Sequence, residues 1–276
     1  SWHTYRWEAG GMAVLGSIQP QPVETQPDGT LRVADIAAAI KPDDPHFART
    51  RLVVLENTTG GQVLPSAYIA EVAQLARSRG LAMHLDGARL FNAATANAAR
   101  NGTDVYDEAR ALCRHFDSAS LCLSKGLGAP VGSLVLGTRD FIRQARRTRK
   151  ILGGGMRQAG VLAAAGHHAL EHHVRRLTED HTNLDRLAQG LSEAHRSHPV
   201  LQGRIAVLPW QTNILFTDVH ADVAPAFTAW LAQHGVRVTS SLYGGATRLR
   251  WVTHLDVNEA DVTAALDCVA RFTLPG

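Results

Sequence analysis

A lysine between two apolar, strand-like runs is the residue of this sequence best suited to covalent chemistry. The stretch 118–137 reads SASLCLSKGLGAPVGSLVLG, with Lys125 near its centre. Lys41, Lys125 and Lys150 are the only lysines among 28 lysines and arginines. Arginine cannot lose its proton, whereas a lysine amine in a pocket can do so and attack a carbonyl carbon. We therefore predict a nucleophilic amine at Lys125, the alternative being an ordinary surface lysine like Lys41 in the polar stretch KPDD.

Two acidic residues follow predicted strands. The continuous apolar run 52–55 indicates a buried parallel strand and ends at Glu56, and the run 81–85 ends at Asp86. Ligands of open α/β sheets collect beyond the carboxyl ends of the strands. Because Lys125 also follows a predicted strand, we expect one site to gather all three segments.

The spacing of Asp86 and Arg89 adds a basic group to this site. If a helix begins at Gly87, the acid and the base share one helix face; the alternative for Asp86 is a helix cap with a surface ion pair. An amine able to form a Schiff base and a carboxylate held against a ring nitrogen are what pyridoxal phosphate requires. The carboxylate keeps the pyridine nitrogen protonated, so that the ring absorbs electrons from a breaking bond at the substrate Cα.

Strands alternate with helices along the first half of the chain, which predicts an α/β domain with a mostly parallel sheet. In the helix predicted from Pro65 to Gly80, apolar residues recur at helical spacing, at Ile69, Val72, Ala73 and Ala76. Further elements are predicted as helices at 32–40, from about 174 and at 259–272, and as strands at 132–136, 213–216 and 248–252.

Composition argues against several classes of protein. A net charge of +3 with mostly scattered arginines does not favour nucleic-acid binding. No apolar run approaches the roughly 18 residues of a membrane helix. The cysteines Cys113, Cys122 and Cys268 lack CxxC spacing, which favours reduced thiols in a cytoplasmic protein. His168 and His172 lie one helical turn apart, but without an HExxH order or a third ligand we predict a solvated helix face and no metal.

Five motifs resemble the low-specificity L-threonine aldolases, pyridoxal phosphate enzymes of fold type I: WEAGGMAVLGSIQPQPV, HLDGARLFNA, LCLSKGLGAPVGS, GGGMRQAG and RLRWVTHLDV. The match runs in register over residues 3–270. It implies an aminotransferase-like α/β fold, with a large cofactor-binding domain at 1–173 and a small α/β domain at 174–276. The implied reaction is the retro-aldol cleavage of L-threonine, L-allo-threonine and related β-hydroxy amino acids to glycine and an aldehyde.

The resemblance also implies roles for individual residues. Lys125 would form the Schiff base, Asp86 would pair with the pyridine nitrogen and His3 would stack on the ring. Lys150 and Arg157, in RKILGGGMRQ, would contact the phosphate, at least one of them in a neighbouring subunit. A glycine run leading into a helix from Arg157 would add free N–H groups.

Substrate recognition follows the same resemblance, with one departure. Arg89 and Arg250 would bind the substrate carboxylate, which suits the forked geometry of arginine. The family usually has a histidine where this chain has Thr59, near the substrate hydroxyl. Threonine cannot act as an imidazole base, so we expect a changed diastereomer preference or a lower rate.

The family also has a segment ahead of the point where this sequence starts, including phosphate-contacting and carboxylate-contacting residues. We expect its loss to weaken cofactor binding. The enzyme is expected to be a cytoplasmic homo-oligomer, a dimer or tetramer with shared sites, acting on a small amino acid and binding neither nucleic acid nor membrane. The alternatives are another pyridoxal phosphate lyase or racemase and a non-catalytic fragment. A nicotinamide-binding protein is disfavoured, because no GxGxxG follows the early strands.

Overall fold

The computed structural model describes residues 2–241 and 245–274. The chain divides into two compact units, Ser1–Val174 and Arg175–Gly276. In unit 1 the elements are, in chain order, α1 (His3–Arg6), α2 (Gly11–Val14), α3 (Val33–Ala39), β1 (Leu52–Glu56), α4 (Ser66–Ser78), β2 (Ala82–Asp86), α5 (Leu90–Asn101), α6 (Val105–Cys113), β3 (Ser118–Cys122), β4 (Ser133–Gly137), α7 (Arg139–Ile151) and α8 (Gly160–His172).

The described strands of unit 1 form one sheet in the order β1-β2-β3-β4. β1, β2 and β3 run parallel, and β4 pairs antiparallel with β3. This confirms the predicted mostly parallel sheet. The apolar runs at 52–55 and 81–85 form β1 and β2 to within a residue, since such runs suit strands covered on both faces.

Helix α4 follows β1 and packs its predicted apolar face into the core. Ile69, Val72, Ala73 and Ala76 are all essentially inaccessible to solvent. The predicted core residues are therefore confirmed, because a 3.6-residue period places them on one side of the helix. Helix α4 packs against β2, the strand that ends at Asp86.

Gly87 allows the end of β2 to approach β3 closely. Its N–H donates to the carbonyl oxygen of Ser120 at 3.0 Å, and a Cβ at this position would lie 2.7 Å from the same oxygen. Such a contact cannot be relieved by a side-chain rotation, because the oxygen belongs to the backbone of a paired strand. The identity of residue 87 thus sets the spacing of the two strands that position Asp86.

We expect Gly87→Ala to lower the free energy of unfolding by roughly 1–3 kcal/mol, as overpacking of a close contact does. The control is Gly160→Ala, where an added Cβ meets nothing within 4 Å at the start of α8. There, a gain of up to about 1 kcal/mol is expected from the lost flexibility of glycine. Urea unfolding of both variants measures the difference; equal stabilities would contradict the close contact at Gly87.

In unit 2 the elements are α9 (Leu177–Ser197), β5 (Ile205–Val207), β6 (Ile214–Val219), α10 (Ala224–Gln233), β7 (Thr239–Ser241), β8 (Gly245–Val252) and α11 (Glu259–Ala270). Its described strands form an antiparallel sheet in the order β5-β6-β8-β7. The core contains Phe227 and Phe272 together with Leu249 and Trp251 of β8. The predicted strand at 248–252 and final helix are confirmed.

Four further features concern membrane spans, metal sites and cysteines, which the composition also addressed. No helix in residues 2–241 or 245–274 is long and apolar enough to cross a membrane. The same residues contain no group of three or more acidic, histidine or cysteine side chains arranged to hold a metal ion. His168 and His172 are exposed on α8 with ring centroids 4.4 Å apart. Cys113, Cys122 and Cys268 are free thiols, and among them Cys268 is buried.

Candidate functional site

The carboxyl ends of β1 and β2 place two acids side by side. Glu56 and Asp86 are the last residues of their strands and are partners in the parallel register. The N–H of Asn57 donates to the main-chain oxygen of Asp86 at 3.0 Å, which extends the pairing past Glu56. Both carboxyl groups are almost fully buried, with 8% of Glu56 and 9% of Asp86 exposed. Burial of two neighbouring acids is unfavourable unless other groups compensate.

Lys125 lies in the loop between β3 and β4. β3 ends at Cys122, so the predicted strand at Leu121–Leu123 stops one residue earlier than expected. The N–H of Gly128, which has a positive φ of 70°, donates to the carbonyl of Lys125 at 2.9 Å and closes a tight turn. The N–H of Leu123 donates to the carbonyl oxygen of Gly132 at 2.9 Å, across the base of the loop. These bonds hold a half-buried amine at the strand end.

The pKa of the Glu56 carboxyl group is shifted by the other charged residues of the site. Its Oε2 accepts a hydrogen bond from the main-chain N–H of His3 at 2.6 Å. Burial raises the pKa of Glu56 to about 7 despite the lowering effect of this hydrogen bond. The charge of Asp86 raises the pKa further, whereas Lys125 and Arg89 lower it. The structure therefore brings Lys125, Asp86, Arg89 and the backbone of His3 around one carboxyl group.

This raised pKa predicts how Glu56 affects stability. Between its ordinary pKa of 4.5 and about 7, the folded state binds more protons than the unfolded state, so stability falls as pH rises. Relative to Glu56→Gln, wild type should lose roughly 2–3 kcal/mol of unfolding free energy between about pH 5 and about pH 8. Chemical unfolding of both proteins across this range tests it, since other titrating groups are common to both. A pH-independent difference would contradict the raised pKa.

The turn after β2 differs from the expected arrangement. Helix α5 begins at Leu90 rather than Gly87, so Asp86 and Arg89 do not share a helix face. Asp86 instead accepts a hydrogen bond from the N–H of Ala88 at 3.2 Å through Oδ1, and the half-buried Arg89 is the N-cap residue of α5. Gly87 instead continues the strand pairing, because its N–H donates to the carbonyl oxygen of Ser120 on β3.

His3 lies in α1, with its ring half-exposed. Its Nδ1 is 3.4 Å from Oε1 of Glu8, and its ring centroid is 6.3 Å from that of Trp7. The main chain of His3 is tied to Glu56 while the ring is accessible.

The loop after β1 contains buried polar atoms without partners in the described part of the chain. These are Nδ2 of Asn57 and Oγ1 of Thr58. The side chain of Thr59 packs closely against Gly29 instead, because a Cβ added at Gly29 would lie 2.6 Å from Cγ2 of Thr59. Unpaired buried polar atoms are rare in native proteins. In the described part of the chain, these two atoms next to Glu56 have unmet hydrogen-bonding capacity.

Lys150 and Arg157 lie elsewhere on unit 1. Both side chains are exposed, Lys150 in the last turn of α7 and Arg157 in the following loop. Helix α8 begins at Gly160 rather than at Arg157. The N–H groups of Gly153 and Gly154 donate to carbonyls of α7, so the predicted free N–H groups are partly used within the turn. Neither cation is among the charges that act on Glu56.

Arg250 belongs to unit 2, on β8. Residues of this strand alternate, with Leu249 and Trp251 buried and Arg248 and Arg250 on the opposite face, half-buried. Arg248 forms two hydrogen bonds to Asp218, at 2.6 and 2.7 Å. Arg248 is therefore paired within unit 2, and Arg250 lies two residues further along on the same face of β8.

Two features of unit 1 escaped sequence reasoning. The sequence predicts Glu56 at the site but assigns it no role, and it does not single out Asn57. The signal for both was present, because two polar residues directly after an apolar strand must be buried or bound at the sheet edge. A cavity of about 840 Å³ was also not foreseen; it lies along β1, is lined by Val53, Trp2 and Phe47, and includes neither Lys125 nor Asp86.

The chain resembles known proteins along most of its length. Residues 1–218 match the family model described as Beta-eliminating lyase. The low-specificity L-threonine aldolase of Escherichia coli K12 is 47% identical over 93% of this chain and 70% of its own length. A probable low-specificity L-threonine aldolase 2 of Arabidopsis thaliana is 39% identical over 98% of this chain and 74% of its own. The structure of Leishmania major threonine aldolase has a TM-score of 0.76 at 21% identity, covering 98% of this chain and 74% of that one.

The matched motifs and the strand-end acids define a lyase scaffold of the pyridoxal phosphate type. The chain belongs to the Beta-eliminating lyase family, among the low-specificity L-threonine aldolases. Proteins of this family depend on pyridoxal phosphate. The residues present fit that cofactor: an amine at Lys125 and a buried carboxylate at Asp86 both act on Glu56, and buried polar atoms without partners in the described residues follow Glu56 in the chain.

Proposed function

We propose that this protein cleaves L-threonine, L-allo-threonine and related β-hydroxy-α-amino acids to glycine and an aldehyde. The observation that carries this proposal is the gathering of Lys125, Asp86 and Arg89 around Glu56 at the ends of parallel strands. Family membership supplies the reaction class. The aldolases named above support the substrate class, since that is the activity in their names.

Three residues of unit 1 would hold the reacting part of the cofactor. Lys125 would bind its aldehyde carbon through the amine, Asp86 would hold the pyridine nitrogen in its protonated form, and the ring of His3 would cover one face. When bound, pyridoxal phosphate supplies an electron sink for the bond broken at the substrate Cα. Asp86 is suited to this role because its backbone is fixed by pairing on both sides, to β1 and to β3.

The phosphate and the substrate carboxylate would be bound by cations. We assign Lys150 and Arg157 to the phosphate, and their exposure on unit 1 suits contact with a neighbouring subunit. We assign Arg89 and Arg250 to the substrate carboxylate, with unit 1 as the large cofactor-binding domain and unit 2 as the small domain. Forked N–H donors orient a carboxylate, which fixes the bond to be broken relative to the other bound groups.

A proton must leave the β-hydroxyl of the substrate when the aldehyde departs. The imidazole of His3 or a bound water would accept it, since Thr59 cannot act as a base near neutral pH. Thr59 would contribute a hydrogen bond at most. We therefore expect the residue at position 59 to influence which diastereomer is preferred more than whether cleavage occurs.

Thr59→His is expected to shift the ratio of kcat/KM for L-threonine to that for L-allo-threonine by roughly tenfold, an effect of the size produced by a positioned imidazole. Thr59→Asn is the matched control, because an amide hydrogen-bonds but does not titrate. Both ratios are obtained from aldehyde release with each pure diastereomer. If the histidine variant keeps both the ratio and the rate of wild type, Thr59 does not lie near the substrate hydroxyl.

The protein is proposed to act as a cytoplasmic homo-oligomer, a dimer or tetramer in which subunits share active sites. Support comes from the exposed apolar and basic surface around Lys150, which includes Ile151, Leu152 and Met156. Free cysteines are consistent with a reducing compartment. Sedimentation with and without pyridoxal phosphate measures the oligomer directly.

Product analysis separates the proposed reaction from its alternatives. Incubation with L-threonine and pyridoxal phosphate should release acetaldehyde and glycine in equal amounts. A β-elimination activity would release ammonia and a keto acid instead, and a racemase would accumulate the D-amino acid without any aldehyde. A protein that binds pyridoxal phosphate but forms none of these products would be a non-catalytic fragment.

A further inference from the structure

The hydrogen bond between Glu56 and His3 joins residues 53 positions apart in the sequence. It connects the end of β1 to α1, a four-residue helix with no buried residue. So short a helix has little stability of its own, because nucleating the first turn is unfavourable. The position of His3 must therefore depend on contacts with the rest of unit 1.

The geometry points to Glu56 as a positioning residue, whose carboxylate holds the backbone of His3 and thereby orients the imidazole over the bound cofactor. This inference rests on the proposed function in assigning the ring of His3 to the cofactor face. Glu56 needs no contact with substrate for this role. It acts from beside Asp86, its partner in the strand register, so one strand edge would fix both the ring nitrogen and the stacking ring.

Burial and charge support this assignment. An acid that is 8% exposed and next to another acid would be replaced by an apolar residue if it served packing alone. The main-chain N–H of His3 from α1 contacts Glu56, and the charges that act on it are Asp86 from β2, Arg89 from the turn before α5 and Lys125 from the β3–β4 loop. The raised pKa of Glu56, caused first by burial, means that the strength of its hydrogen bond to His3 changes near neutral pH, since a carboxylate is the stronger acceptor.

The test compares Glu56→Ala and the isosteric Glu56→Gln with Glu108→Gln. Glu108 is the matched control because it is also a buried acid of unit 1, with 9% exposed, and its Oε1 accepts hydrogen bonds from Asn101 and Thr103 at 2.9 and 2.7 Å. Hydrogen exchange of the His3 main-chain amide is followed in protein labelled with 15N-histidine, with and without pyridoxal phosphate. The signal is assigned from its loss in His3→Asn.

In Glu56→Ala the His3 amide should exchange at least roughly tenfold faster, as expected for the loss of a charge-assisted hydrogen bond. Glu56→Gln keeps an acceptor oxygen, so the His3 amide should be better protected from exchange than in Glu56→Ala. Because glutamine does not titrate, this protection should not vary with pH around neutrality. The turnover of holoenzyme should follow the same order, with kcat reduced roughly tenfold in Glu56→Ala and KM for L-threonine changed less than threefold. Glu108→Gln should leave the exchange rate and kcat unchanged.

Exchange of the His3 amide within twofold of wild type in Glu56→Ala would overturn the inference. So would an equal effect of Glu108→Gln, because that would show general loosening of unit 1. The exchange experiment does not depend on activity and so separates this inference from the proposed function. If Lys125→Ala retained cleavage, the proposed function would fail while the exchange data still decided whether Glu56 holds His3.

Discussion

Lys125→Ala is expected to abolish the cleavage of L-threonine, lowering kcat/KM on the order of 10³-fold or more, as the loss of a covalent catalytic group does. The amine sits on a loop whose ends are tied by hydrogen bonds from Leu123 to Gly132 and from Gly128 to Lys125. These bonds involve main-chain atoms, so the alanine variant should keep the fold. Aldehyde release in the presence of saturating pyridoxal phosphate measures the effect.

Two matched variants separate amine chemistry from charge. Lys125→Arg keeps the positive charge beside Glu56 and Asp86 but cannot form a Schiff base, so it should be as inactive as the alanine variant. Lys41→Ala removes a lysine whose ammonium lies over the ring of Phe47 at 5.8 Å, and its rate should stay within about twofold of wild type. Activity in Lys125→Arg near that of wild type would rule out the covalent role.

Asp86→Asn is expected to lower kcat by roughly 10²–10³-fold, the usual effect of removing one preorganised charged group from an active site. Asparagine keeps the oxygen that accepts from Ala88, so the turn should survive. What is lost is the charge that would keep the pyridine nitrogen protonated. A second signature is independent of activity: without the neighbouring acid, the pKa of Glu56 should fall, since Asp86 contributes to raising it.

The control for this variant is Asp117→Asn. Asp117 precedes β3 and accepts a hydrogen bond from the N–H of Met83 at 2.7 Å through Oδ2, so it also fastens a strand of the same sheet. It lies toward the opposite end of β2, where no catalytic group is proposed, and its kcat should stay within about threefold of wild type. If kcat fell by a similar factor in both variants, the effect of Asp86→Asn would come from a loss of sheet stability.

Local sequence patterns predicted the parallel core well because its strands are short apolar runs and its helices have clear apolar faces. β1, β2 and α4 were placed within two residues of their observed ends. The predicted start of α5 was wrong, because Gly87 continues the pairing with β3 and the helix begins only at Leu90. The start of α8 was wrong for a similar reason: the glycine run folds back on the end of α7.

The candidate site was predictable to the extent that strand ends collect ligands. Lys125, Asp86 and Arg89, which follow predicted strands, all act electrostatically on the carboxyl group of Glu56. The contact between Glu56 and His3 could not be read from spacing, because it joins segments far apart in sequence. Nor does any local pattern reveal that Glu56 is buried deeply enough to raise its pKa to about 7.

Lys125 is proposed to carry the cofactor. The most direct measurement is to incubate the protein with pyridoxal phosphate, reduce it with borohydride, digest it and locate the modified lysine by mass spectrometry. Because the chain contains only Lys41, Lys125 and Lys150, the result is unambiguous. A stoichiometric pyridoxyl group on Lys125, absent when L-threonine is added in excess before reduction, is the predicted result. Modification of Lys41 or Lys150 instead, or of no lysine at all, would contradict the account.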